Sequence, residues 1–256
     1  MPVKTDRNDA RSIAAAMRAG WYSEVHIKSK SSRVLRMLLT DRKTLLDRRI
    51  DIDNAIRGTL RVFGIKVSGH ISHATFEIRV REAVADAPEL RDLVEPLLRA
   101  RAAMREQYAI LHRQLHRIVR QDEICRRLMT IPGVGPLAAV TFRTKIDDPA
   151  RFRRSRDVGA HLGLTPRKYG SGETDRNGPI SKAGDAGMRA VLYQAGLALL
   201  TRSQRWSKLR AWGMAVAKRR GMRRAVVAVG RKLAILMHRI WKDGTTYEWG
   251  QSATAA

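Results

Sequence analysis

The chain has 256 residues, 44% of them hydrophobic, which allows a real core and excludes a basic disordered tail. Fifty Lys or Arg stand against 24 Asp or Glu, a formal charge of +26, far beyond what solubility requires, so the expected partner is nucleic acid. The lone Cys125 excludes an internal disulfide and a cysteine-cluster metal site and suits a reducing compartment, the cytoplasm by default.

In chain order, residues 9–19 read as a helix rich in Ala, Arg and Met, with Gly20 as its stop. No apolar signal core precedes it, and no stretch of the chain approaches the ~20 apolar residues of a membrane span. Coating of an anionic lipid surface would need an exposed amphipathic helix and explains none of the motifs below. Lys4-Thr-Asp6-Arg-Asn-Asp9-Ala-Arg11 places two carboxylates three apart, on one face of a helix. Paired aspartates suit Mg²⁺, and they equally suit a helix start with an ion pair to Arg7 or Arg11.

Trp21 to Ile27 reads as an extended link, after which Ser31 and Ser32 can cap a long helix reaching about Val62, with Leu35, Leu38, Leu39, Leu45 and Ile56 at helical spacing. Gly64, Gly69 and the polar stretch from His70 to His73 break it, and a short helix over 76–86 follows. Pro88 opens a second long helix, striped by Leu97, Met104, Tyr108, Leu111, Leu115 and Ile118. The two long helices make an antiparallel hairpin, either a bundle within one subunit or a dimerisation arm, with arginine-rich outer faces in solvent.

The texture changes between Gln121 and Arg127, where a domain boundary is expected. Helices are predicted over 137–144, 155–162, 181–201, 204–218 and 223–243; only the segment around Ser171 lacks helical periodicity. The fold class is therefore mainly α. Between Arg151 and Asp243, 22 Lys or Arg face 5 Asp or Glu, so the polyanion footprint is concentrated there.

Four motifs in this half carry chemistry. Leu128-Met-Thr-Ile-Pro-Gly-Val-Gly-Pro-Leu137 has the pattern of a helix-hairpin-helix, in which Gly133, Val134 and Gly135 bring the turn close to a phosphate. The same glycines would also serve as a packing device. Pro166-Arg-Lys-Tyr-Gly-Ser171-Gly-Glu-Thr offers a hydroxyl between glycines, with Arg167 and Lys168 to hold a phosphate, and the same residues suit a plain polar turn. Ile180-Ser-Lys-Ala-Gly-Asp185 places Ser181 as a helix cap and Lys182 and Arg189 as backbone contacts to DNA. Lys218-Arg219-Arg220-Gly-Met-Arg223-Arg224 reads as a phosphate-binding loop between helices.

Together, Lys4 to Arg11, Ile131 to Gly135, Phe152 through Leu162-Gly-Leu-Thr-Pro-Arg167, Tyr169-Gly-Ser-Gly172 and Ile180 to Gly184 resemble, in order and spacing, the insertion-sequence 110 and 1111 group of transposases, also named for insertion sequences 116, 110 and 902. The resemblance covers nearly the whole chain. It implies a ribonuclease H-like nuclease domain with an Asp-Glu-Asp-Asp metal set, a coiled coil, and a C-terminal transposase domain bearing a serine. Residues 1–27 would then be the last helix of the nuclease domain, 28–122 the coiled coil, 123–245 the transposase domain and 246–256 a disordered tail. Asp6 and Asp9 match the last two carboxylates of the metal set, which would hold Mg²⁺, and Ser171 matches the serine nucleophile. DNA ends and target, a structured guide or bridge RNA and a homo-oligomer are the partners implied, in a bacterial cytoplasm at the nucleoid. Because Met1-Pro-Val directly precedes Lys4, the expectation is a truncated, impaired transposase that binds metal weakly. The alternative is a non-catalytic DNA-binding module that competes with a full-length transposase.

Overall fold

The computed structural model describes residues 5–22, 24–67, 73–171 and 173–249. Lys4, Gly69, the start of the His70 to His73 stretch, Gly172 and most of the 246–256 tail, all invoked above, lie outside the described residues. The chain is mainly α, as expected, with one two-stranded sheet.

Helix α1 (Asp6–Arg18) starts at Thr5, whose hydroxyl accepts the Asn8 amide at 3.3 Å, and it buries no side chain. Helix α2 (Lys30–Val62) is capped by Ser29 rather than by Ser31 or Ser32: the Ser29 hydroxyl accepts the Ser32 amide at 3.2 Å. Helices α3 (His73–Ala83) and α4 (Pro88–Gln121) complete an arm. Leu35 and Leu38 share a core with Leu115 and Val119, while Ile56 and Leu60 share another with Leu90 and Val94, so α2 and α4 run antiparallel.

Between the two apolar clusters the arm carries a charged layer that sequence patterning treated as solvated surface. Arg101 is fully buried; its Nε donates to Asp53 and its Nη1 to Glu77, both at 2.5 Å, and its guanidinium lies 4.7 Å from the Phe76 ring centroid. Arg49 reaches the other Asp53 oxygen at 3.3 Å. The stripe rule fails here because two carboxylates on neighbouring helices make burial of the guanidinium tolerable.

Helices α5 (Glu123–Leu128), α6 (Pro136–Ile146), α7 (Asp157–His161), α8 (Ala186–Thr201), α9 (Lys208–Arg220) and α10 (Met222–Asp243) form the C-terminal unit. Its core runs from Leu128 and Phe142 through Leu192 and Leu199 to Leu233 and Met237, and it includes the base of the arm. The backbones approach closely: a Cβ on Gly196 of α8 would lie 2.8 Å from the Val226 carbonyl of α10. The segment without helical periodicity is a hairpin, β1 (Pro166–Ser171) against β2 (Thr174–Ile180), antiparallel, with Pro166 opposite Ile180 at its base and Ser171 opposite Thr174 at its tip.

The α1–α2 link is fastened to the C-terminal unit at Asp147, which follows α6. Asp147 has φ 67° and ψ −54°, and the Asp148 amide donates to the Ile146 carbonyl at 2.8 Å, which is a γ-turn that L-residues adopt only under strain. Its carboxylate accepts from the Ser29 amide at 2.9 Å and the Ser29 hydroxyl at 2.7 Å, and it pairs with His26 Nε2 at 2.7 Å. Burial pushes the Asp147 carboxyl up, but hydrogen bonds from Ser32, Ser29 and His26 outweigh it and hold the group well below the ordinary carboxylate range. Lys28 donates to the Thr144 and Lys145 carbonyls at 3.0 and 2.7 Å, placing a cation on the C-terminal end of α6.

Candidate nucleic-acid interface

Ser171 closes β1, and all six residues of that strand are exposed. Its register partner across the hairpin is Thr174. Of the two cations assigned to it, Lys168 lies on the same strand and pairs with Asp175 of β2 at 3.1 Å. Arg167 donates to the Ser181 carbonyl at 3.1 Å, which ties the hairpin base to the loop before α8.

The Ile180–Asp185 segment is not the start of α8. Asp185 caps that helix, its Oδ1 accepting the Met188 amide at 2.7 Å, and Ser181 instead donates its amide to the Thr165 carbonyl at 2.8 Å. Lys182 has φ +57°, a left-handed conformation that keeps residues 181–185 out of the helix, and its side chain is exposed. Arg189 is half-buried, and its Nη1 donates to the Gly184 carbonyl at 2.5 Å, so it braces this turn.

In the Pro-Gly-Val-Gly turn the two glycines differ. Gly133 has φ +83°, and a Cβ there would lie 2.4 Å from the Ala195 carbonyl of α8, so its lack of a side chain lets the turn pack. Val134 is buried, and its amide donates to the Ile131 carbonyl at 3.1 Å. Gly135 is exposed, with no atom within 4 Å of a Cβ built on it, and begins α6 without a side-chain cap. The open end of the turn is therefore Gly135 and the first amides of α6.

Lys218, Arg219 and Arg220 end α9, whereas Arg223 and Arg224 occupy the first turn of α10; all five are exposed. Cations suit a helix C-terminus and oppose the dipole at an N-terminus, so Arg223 and Arg224 are placed against their helix. No carboxylate pairs with any of the five among the described residues.

Asp6 and Asp9 lie exposed in the first turn of α1, and neither is ion-paired among the described residues. Among those residues no group of three or more His, Cys, Asp or Glu side chains converges. Two carboxylates on one helical turn supply too few oxygens to fix a divalent ion alone.

Sequence reasoning missed one hydroxyl with a base beside it. Buried His238 of α10 receives the Ser155 hydroxyl at Nδ1, 3.0 Å away, while Nε2 donates to the Pro149 carbonyl at 2.9 Å. The arginine run around Ser155 was the available signal, but the histidine is 83 residues away in sequence. Cys125 is no rival nucleophile: burial, with Asp122 beside it, pushes its thiol far up.

Two sequence profiles match: one described as transposase, IS116/IS110/IS902 family, over residues 125–211, and a transposase profile of the DEDD type over residues 2–65. The chain is also similar to the transposase for insertion sequence element IS1111A of Coxiella burnetii, at 31% identity over 96% of this chain and 69% of that protein. The chain belongs to the IS116/IS110/IS902 transposase family. The y4pF/y4sB protein of Sinorhizobium fredii, named as a transposase, is 30% identical over 98% of this chain and 66% of its own length. The transposase for IS1328 of Yersinia enterocolitica is 28% identical over 96% of this chain and 75% of its length. The chain thus spans about two thirds of the length of the first two of these relatives. Within the family profiles, Ser171 falls in the first match and Asp6 and Asp9 in the second.

Proposed function

We propose that this chain acts in transposition of an insertion sequence, binding DNA through its C-terminal unit and cutting and rejoining strands with Ser171 as nucleophile. The observation that carries the reading is the place of Ser171: an exposed hydroxyl at the tip of a hairpin, within the transposase-family match. A duplex can approach such a tip without disturbing a core. In the step envisaged, the Ser171 oxygen bonds to phosphorus as its proton passes to solvent. The bond from phosphorus to a sugar oxygen breaks, and that oxygen takes up a proton. A sugar hydroxyl of a second strand reverses the exchange, so phosphodiester energy is conserved and no ATP is consumed.

The cations divide by geometry. Lys182, Lys218, Arg219, Arg220, Arg223 and Arg224 are exposed and would meet backbone phosphates, while Gly135 and the first amides of α6 would hold one more. Arg167, Lys168 and Arg189 position the hairpin and its loop before they touch DNA, and Gly133 and Val134 set the turn. Reading α5, the Pro-Gly-Val-Gly turn and α6 as a helix-hairpin-helix, and the arm as a coiled coil that joins two copies, extends this proposal. The family's metal, guide RNA and multimer extend it in the same way.

The five exposed cations at the α9–α10 turn, which no carboxylate pairs among the described residues, equally suit one second reading, a DNA-binding module without catalysis. The two separate on a denaturing gel. Full chain incubated with labelled duplex from the ends of the element, with Mg²⁺, is expected to yield a protein-linked strand that Ser171→Ala abolishes. Adduct formation surviving in Ser171→Ala would refute the serine. Tight binding without any adduct would favour the module.

A further inference from the structure

A groove of the C-terminal unit lies between the hairpin base, α9 and α10, with a volume of about 1110 Å³. Among the described residues its lining holds five cations, Arg220, Arg223, Arg224, Arg231 and Lys232, and no carboxylate. Beneath that rim the floor is apolar, built from Val216, Val227 and Ile235 with Trp212 in the wall. Lys232 is held there by the Trp212 ring, 3.8 Å from its centroid, rather than by an acid.

Of these five cations only Arg231 is half-buried, and its Nε is shielded and has no hydrogen-bond partner among the described residues. Its side chain crosses α7 at Gly159, where a Cβ would lie 3.3 Å from both Cγ and Nε, so the glycine leaves room for the arginine. An anion entering the groove would offset the charge of this guanidinium, which no carboxylate of the lining offsets among the described residues. Meanwhile the first turn of α10, uncapped by a side chain, carries Arg223 and Arg224 where an anion would be favoured.

An apolar floor under a cationic rim does not suit intact duplex, whose bases are stacked inside and whose phosphates face outward. It suits an unpaired nucleotide, with the base on the floor and the phosphate at the arginines. We propose that this groove holds an unpaired nucleotide of a DNA strand opened during strand exchange. This rests on the function proposed above and names the form of DNA bound. Pro166 and Ile180, the register pair at the hairpin base, border the groove region, and Ser171 lies about 17 Å further along the strand, at ~3.4 Å per residue. A strand anchored in the groove would run beside the hairpin towards its tip.

Depth supplies the test. Exposed Arg223 and Arg224 are within reach of single-stranded and duplex DNA alike, whereas half-buried Arg231 is within reach only of an inserted nucleotide. Fluorescence anisotropy on the full chain would use a labelled 12-nucleotide DNA strand, its duplex, and the RNA strand of the same sequence. Arg231→Gln is expected to weaken binding of the DNA strand about tenfold and to leave the duplex within about twofold. Exposed Arg79→Gln on α3 serves as the charge-matched control and should change neither. Equal weakening of strand and duplex, or an unaffected strand, would overturn the proposal while leaving DNA binding in place. Stronger retention of RNA, lost in Arg231→Gln, would also overturn it by naming a different occupant. Failure to bind any DNA would instead sink the function it rests on. Should Arg231→Gln lose its helical melting transition, Arg231→Lys and the exposed double variant Arg223→Gln/Arg224→Gln carry the test. Lys should then retain the preference for the single strand, and the double variant should weaken both forms; loss of the preference in the Lys variant would count against a simple anion contact.

Discussion

The arm and the C-terminal unit manage arginine in opposite ways. In the arm, Arg101 is buried against Asp53 of α2 and Glu77 of α3, and Arg81 of α3 meets Glu95 of α4 at 3.1 Å, so these cations join one helix to another. In the C-terminal unit the helices approach closely at Gly133 and Gly196, and among the described residues the arginines at the α9–α10 turn and groove pair with no carboxylate. The difference separates structural charge from functional charge in a chain whose total of +26 does not distinguish them. Charge left unpaired by a unit that folds without it is available to a polyanion.

Breaking the arm should have the largest effect. Arg101→Leu leaves half-buried Glu77 without its cation and Asp53, among the described residues, with Arg49 alone, and is expected to cost about 3 kcal/mol in a denaturant titration. A cost below ~1 kcal/mol would mean that the buried layer holds nothing together. Next, Gly133→Ala forces a Cβ towards the Ala195 carbonyl at a positive φ, and should cost roughly 3 kcal/mol in the same titration. The arm should be indifferent to it, which hydrogen exchange at α3 can check.

The junction between the two regions is pH-sensitive in one direction. Asp147 has its carboxyl depressed in the folded state, so its contribution is fully present above the unfolded value near ~3.9 and is lost as pH falls through the lower folded value. Asp147→Asn should lower stability by about 1–3 kcal/mol at pH 7 and remove that acid limb. An unchanged acid limb in the variant would assign the pH dependence elsewhere. Smallest in stability, yet visible in binding, Arg223→Gln/Arg224→Gln should leave melting unchanged and reduce the slope of log K against log salt by about 1.8, at ~0.9 per phosphate contact. A wild-type slope in the double variant would place the phosphates on other cations.

Much of the arm and of the helical C-terminal unit is legible in the sequence because apolar stripes such as Leu35, Leu38 and Leu115 obey helical spacing, and Pro88 and Pro136 mark helix starts. The buried Arg101 was not legible, since its partners lie on α2 and α3 and no local pattern reports them. The sequence expectation caps α8 at Ser181, whereas the cap is Asp185, four residues on, because the left-handed backbone at Lys182 keeps the intervening residues out of the helix. The hairpin around Ser171 shows itself only as missing helical periodicity: its strands are exposed, so no buried face imposes the alternation by which strands are recognised. The groove was half visible, as the run Lys218 to Arg224, while Arg231 and its apolar floor required α9 and α10 to be brought together.

The most direct measurement is peptide mapping of the protein after reaction with end DNA. Trypsin should release Tyr169–Arg176, which carries Tyr169 and Thr174 as competing hydroxyls beside Ser171. The account predicts a nucleotide attached to this peptide, with fragmentation assigning it to Ser171. Attachment at Tyr169 or Thr174, or on the peptide carrying Ser155 beside His238, or cleaved DNA with no peptide attached, would contradict it.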